Sequence, residues 1–128
     1  MNATPDSSDP TAAADAYFGA WQADRPADLA DVFAPDIRVH GPLGLIEGAE
    51  RYQESLGRIF ALTGTLVFHK RWVDGADVMT WFDLHPRAGT EPFPVASWLH
   101  VEDGRITAVR VTFDLAKLLR AGDPRSTS

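Results

Sequence analysis

Apolar residues recur every three to four positions through the first half of the chain and every second position through most of the rest. Ala13, Tyr17 and Trp21, with Ala14 and Phe18 beside them, trace one helical face, and Asp9-Pro10 supplies an N-cap and first-turn residue. A second, short helix is predicted after Pro26, with Leu29, Val32 and Phe33 inward. Pro35 should end it, because the residue before a proline avoids the helical region. Asp36 to His40 reads as a short strand and Gly41-Pro42-Leu43-Gly44 as a turn or hairpin tip. From about Ala49, Tyr52, Leu56, Ile59 and Phe60 mark a third helix, with Gly64 as its stop.

The period then changes. Thr65 to Val73 alternates, Asp74-Gly75 turns, and Asp77 to His85 alternates again. A loop from Pro86 to Pro92 leads to a strand over Phe93 to Val101. Asp103-Gly104 is a hairpin turn, and Ile106 to Phe113 is the last strand. Leu115, Leu118 and Leu119 predict a final helical turn closed by Gly122. Helices first and hairpin-linked strands afterwards predict an α+β domain, helices on one face of an antiparallel sheet. One domain over residues 10–122 is expected, between disordered polar ends at 1–9 and 123–128.

Two strand stretches carry the candidate chemistry. Strand alternation puts Trp81, Asp83 and His85 on one face, and Trp98 and His100 on one face of another strand. If both faces line a cavity, carboxyl and imidazole groups with apolar walls make a small acid–base pocket. If they face water, they belong to an ordinary half-exposed sheet.

Composition narrows the classes. The chain has 128 residues, 45% hydrophobic, enough for one compact core. A net charge of -6 offers no electrostatic footprint for nucleic acid or an anionic membrane. The absence of cysteine excludes disulfides, thiolate nucleophiles and Cys-based zinc sites. With no membrane-length apolar run and no signal-like start, the cytoplasm is the expected location, and the Arg-, Ala- and Pro-rich usage hints at a bacterial source. No histidine pair has the zinc-protease spacing and no glycine-rich phosphate loop is present, so neither metal nor cofactor is expected.

Tyr17-Phe18-x-x-Trp21, Val32-Phe33-Ala34-Pro35-Asp36, His40-Gly41-Pro42 and Glu47-Gly48, in that order, resemble the nuclear transport factor 2-like superfamily, and within it the SnoaL-like polyketide-cyclase group. The resemblance runs from about Ala12 to Leu119. It implies a strongly curved antiparallel sheet wrapped into a cone, with about three N-terminal helices on its concave side. It also implies a deep apolar pocket for a small-molecule substrate, and a homodimer formed through the sheet's outer face. Members of the superfamily include cyclases, isomerases, dehydratases, epoxide hydrolases and non-enzymes, so fold alone does not select a reaction.

Set beside SnoaL-like cyclases, Asp114 and His100 match the aspartate after the last strand and the histidine on the strand before it. Set beside limonene-epoxide-hydrolase-like enzymes, Asp83 and Asp114 match the two carboxylates, but Trp81 stands where those enzymes carry arginine. Ketosteroid isomerases need a base where Gly41 stands and an acidic donor near Ala96; only Tyr17 matches, at their oxyanion tyrosine.

Each candidate also has a plain structural reading. Asp114 is an acid/base if buried among aromatics, or the N-cap of the helix that follows. His100 assists Asp114, or is a strand histidine beside a turn. Asp83 is a second carboxylate or an ion-pair partner, and His85 an exposed strand end. His40 sits at the pocket mouth or, by strand parity, on the opposite face; Tyr17, Trp21, Trp81 and Trp98 are pocket wall or core packing. The resulting expectation is a cofactor-independent cyclase or isomerase, with Asp114, His100 and Asp83 catalytic, and Tyr17, Trp21, His40, Trp81 and Trp98 binding substrate. Epoxide opening by an Asp pair and a non-catalytic ligand-binding or structural module are the alternatives.

Overall fold

A computed structural model describes residues 10–87 and 91–121. The predicted ends at 1–9 and 123–128, and Gly122 as a helix stop, lie outside these residues. Helix α1 (Pro10–Ala23) buries Ala13, Ala14, Tyr17, Phe18, Ala20 and Trp21 on one stripe. It ends where Asp24 turns left-handed (φ 56°), letting Arg25 N–H reach the Ala20 carbonyl at 2.9 Å and Asp24 N–H the Trp21 carbonyl at 3.1 Å.

After Pro26 the chain makes only a 3-10 turn, Pro26–Leu29, and strand β1 (Phe33–Gly41) begins where a helix was expected to continue. Pro35 therefore lies inside the strand rather than closing a helix. It falls in the register irregularity between Phe33 and Arg38, where a missing ladder N–H is tolerated. The predicted turn at Gly41–Gly44 leads into β2 (Gly44–Glu47), paired with β1. Helix α2 (Ala49–Leu62) buries Tyr52, Leu56 and Phe60. Gly64 is not its stop but the second residue of β3 (Thr63–Asp74). A Cβ at Gly64 would lie 3.0 Å from the His85 carbonyl oxygen, so close approach of the neighbouring strand explains the glycine.

Strands β4 (Asp77–Pro86), β5 (Phe93–Glu102) and β6 (Arg105–Phe113) and helix α3 (Leu115–Ala121) complete the chain. The six-stranded sheet has the order β2-β1-β6-β5-β4-β3. Every pairing is antiparallel except β1–β6, which runs parallel. The exception follows from connectivity, since α2 and four strands separate the two partners and no hairpin constrains them. Bulges in β3, between Phe68 and Lys70, and at the β5–β6 pairing, between His100 and Val101, bend the sheet around the helices. The result is the expected α+β architecture, a curved sheet whose concave side holds the core.

Strand parity divides the sheet cleanly. Val78, Thr80, Phe82 and Leu84 of β4 and Phe93, Val95, Ser97, Leu99 and Val101 of β5 are buried on the concave side. The alternate set, Met79, Trp81, Asp83, Trp98 and His100, faces outward. Among the described residues no helix is long and apolar enough to cross a membrane.

Candidate functional site

The concave side holds a narrow apolar cleft between α1, α2 and the β1–β2 and β6 edge of the sheet. Tyr17, Trp21, Tyr52, Ile59, Val111 and Phe113 are among its walls, with Gly41 to Gly44 at its rim. Its enclosed space is about 40 Å³, room for roughly three water molecules by that measure. Aromatic packing keeps it narrow: Trp21 stacks on Phe60 at 5.6 Å between centroids and meets Tyr17 edge-on at 5.9 Å. Gly41 is required at the rim, because a Cβ there would sit 3.0 Å from Val111 Cγ1 and 3.3 Å from the Val111 carbonyl oxygen.

Besides Ser55, the polar feature of this cleft is a pair of phenols. The hydroxyls of Tyr17 and Tyr52 lie 2.8 Å apart, and both side chains are buried. They meet because Tyr17 is on the inward stripe of α1 and Tyr52 on that of α2. Burial pushes both phenols above the ordinary tyrosine value, so both stay protonated and act as hydrogen-bond donors rather than bases. One hydroxyl proton of the pair is spent between them; the other is free for a ligand oxygen. Trp21 is held in place by its Nε1–H, which donates to Thr63 Oγ1 at 2.9 Å, while the Thr63 hydroxyl donates to the Ile59 carbonyl at 2.8 Å.

Tyr17 and Trp21 are among the residues that line the cleft. The remaining expected site residues do not join them. Trp81, Asp83 and His85 do share a face, but it is the outer one, and Trp81 is 42% exposed. Asp83 pairs there with His69, Oδ2 to Nε2 at 2.9 Å. Trp98 and His100 also face outward, and His100 meets Asp77 at 2.6 Å and Glu102 at 3.3 Å. Asp77 holds the His100 imidazole above its usual value, and His100 in return holds the Asp77 carboxyl below the usual carboxylate value. His40 is exposed on the outer side of β1, as strand parity suggested, beside Trp98 and Arg110.

Asp114 is exposed and caps α3: its Oδ1 accepts the Lys117 N–H at 3.3 Å and its carbonyl accepts those of Lys117 and Leu118. The expected convergence of Asp83, His100 and Asp114 therefore fails on reach. His100 pairs with Ala108 and Asp83 with Pro94 in the ladder. This sets His100 ~20 Å along the strands from each of the two carboxylates at ~3.3 Å per residue. The Asp83–Asp114 pair also cannot flank one cavity, since Asp83 points away from the concave side. Among the described residues, no group of three or more histidines and carboxylates could hold a metal ion.

Sequence reasoning missed Tyr52, Thr80 and Ser97 as polar residues of the interior. Tyr52 was recognised only as part of an apolar helical stripe. Thr80 and Ser97 are each 1% exposed, face each other across β4 and β5, and their hydroxyls have no hydrogen-bond partner among the described residues. An unpaired buried hydroxyl costs about 1–3 kcal/mol, so two side by side are a feature to be explained.

The chain belongs to the SnoaL-like domain family, whose model matches residues 14–109, within the nuclear transport factor 2-like superfamily. Its fold is shared with a crystal structure of a protein from Kribbella flavida DSM 17836 (25% identity, TM-score 0.80, 91% of this chain and 96% of that one). It is shared also with an LEH-like epoxide hydrolase from M. tuberculosis (25% identity, TM-score 0.73, 91% of each chain). A steroid delta-isomerase from Pseudomonas aeruginosa has the same fold at 18% identity (TM-score 0.76, 94% of this chain and 90% of that one). No curated protein matches this sequence.

Proposed function

We propose that this protein binds a small, mainly apolar molecule in the concave cleft, with an oxygen of the ligand hydrogen-bonded by the Tyr17–Tyr52 pair. The observation that carries the reading is that pair: two buried, protonated phenols 2.8 Å apart in a mainly apolar cleft. None of the residues lining the cleft is a carboxylate or a histidine, which favours ligand binding over acid–base turnover by the set expected from sequence. Calorimetric titration with 2-naphthol, an apolar bicycle with one hydroxyl, tests it. Binding should weaken about tenfold in Tyr17→Phe; no binding to the wild type overturns the reading.

A second reading, cofactor-independent isomerisation or cyclisation through an enolate, is favoured by one observation: Asp114 directly follows Phe113, a cleft wall. The phenol pair would stabilise the enolate oxygen and Asp114 would move the proton. Exchange of the α-hydrogens of 2-tetralone in D2O separates the two readings. An enolate enzyme accelerates the exchange and loses it in Asp114→Asn, whereas a binding protein leaves it at the buffer rate. Epoxide opening is not supported, because Asp83 lies on the outer face.

The protein acts in the cytoplasm as a homodimer on this proposal, joined through the outer face of its sheet. Trp72, Met79, Trp81 and Trp98 stand there exposed on neighbouring strands. Contiguous apolar surface of this kind marks an interaction site.

A further inference from the structure

The cleft ends at Val111, but the row of inward-facing residues to which Val111 belongs does not. In ladder register, Val111 is opposite Ser97, Ser97 opposite Thr80, and Thr80 opposite Arg71, whose guanidinium is turned to Asp15 on α1 at 2.8 Å. Neighbouring strands lie ~4.8 Å apart, so the Ser97 hydroxyl is ~5 Å and the Thr80 hydroxyl ~10 Å inward of the cleft wall. These two are the buried side-chain polar atoms left without a partner among the described residues. The others in the same interior are engaged, Tyr17 with Tyr52 and Trp21 with Thr63. Valine and alanine would fill the same space in a strand without leaving a hydroxyl unpaired, so packing does not account for Thr80 and Ser97.

We infer that Thr80 and Ser97 form the inner polar end of the ligand site, and that the ligand is an apolar ring system carrying hydrogen-bonding oxygens at two separated positions. One oxygen meets the Tyr17–Tyr52 pair; the other, a hydroxyl or carbonyl, satisfies Ser97 and Thr80. The inference rests on the proposed ligand-binding role and specifies its ligand class. A cleft of about 40 Å³ is too small for such a molecule, so the side chains packed between the two polar ends must move on binding. Selectivity follows from the cost of leaving the inner hydroxyls unpaired: a ligand with one oxygen reaches the site but does not satisfy it.

The test compares 2-naphthol with 2,6-dihydroxynaphthalene by calorimetry, in the wild type, Ser97→Ala, Thr80→Val and the double variant. Thermal denaturation is measured alongside. The wild type should prefer the dihydroxy probe about tenfold. That preference should shrink in each single variant and vanish in the double, while Tm holds or rises because an unpaired hydroxyl has been removed. Tyr17→Phe should weaken both probes alike and keep the preference. Equal binding of the two probes by the wild type, a preference that survives the double variant, or a lowered Tm in both single variants overturns this inference alone. Failure of both probes to bind the wild type overturns the ligand-binding role itself.

Discussion

Tyr17 on α1 and Tyr52 on α2 meet through their hydroxyls, 2.8 Å apart, and each is the other's hydrogen-bond partner in a buried setting. The two helices that roof the cleft are therefore joined at the point where a ligand oxygen would arrive. Removing either hydroxyl leaves the other unpaired, whereas removing both leaves an apolar contact.

Tyr17→Phe and Tyr52→Phe should each destabilise the fold by about 1–2 kcal/mol, and the double variant by less than their sum. Urea unfolding of the four proteins measures the coupling. Strict additivity would mean that the hydroxyls do not depend on each other.

The Asp77–His100 pair sets a pH window. His100 has a raised value when folded, so its contribution is complete below the unfolded-state histidine value and fades as pH climbs through the raised one. Asp77 has a lowered value, so its contribution is complete above the unfolded carboxylate value and fades as pH drops through the lowered one. The stability difference between wild type and Asp77→Asn should thus be greatest between about pH 4 and 6.5. Both side chains are over one-third exposed, and solvent screening keeps the difference below ~1 kcal/mol. Proton NMR should show the His100 titration midpoint falling in Asp77→Asn; an unmoved midpoint contradicts the pairing.

Trp98→Glu and Trp81→Glu should convert dimer to monomer in sedimentation velocity. Their circular dichroism should match the wild type, since neither side chain belongs to the core. A wild type that sediments as a monomer at all concentrations removes the dimer proposal.

Asp114→Ala removes the cap of α3 and should lower Tm by ~2–4 °C, the scale of losing about 0.5–1 kcal/mol in a domain of this size. Asp114→Asn keeps an N-cap oxygen and should recover most of that loss. Loss of tetralone exchange in Asp114→Asn with Tm preserved would establish catalysis beside capping.

The long periodic elements were legible from residues alone. The stripe of Tyr17 and Trp21, that of Tyr52, Leu56 and Phe60, and the strand alternation all reappear in space. What alternation does not contain is which side of a strand turns inward. Trp81, Asp83 and His85 share a face as the period demands, but the opposite face with Val78, Phe82 and Leu84 is the more apolar one and packs on the helices. Both sides of β4 and β5 carry aromatics, and it is the ionisable residues, Asp83, His85 and His100, that mark the outer side. The interior polar residues carry a signal of their own: Thr80 and Ser97 are hydroxyls at the inward parity of apolar strands. The Tyr17–Tyr52 contact depends on the meeting of two helices 35 positions apart, which no local pattern encodes.

The sheet also sorts the tryptophans, with consequences for spectroscopy. Trp21 is enclosed and hydrogen-bonded, while Trp72, Trp81 and Trp98 stand in the open on the other strand parity. Emission from the first should be shifted to the blue and shielded from iodide; emission from the other three should be red-shifted and readily quenched wherever the outer face is uncovered. A filled cleft and a covered outer face would therefore change different parts of one spectrum, so that the unaltered chain reports on each event separately.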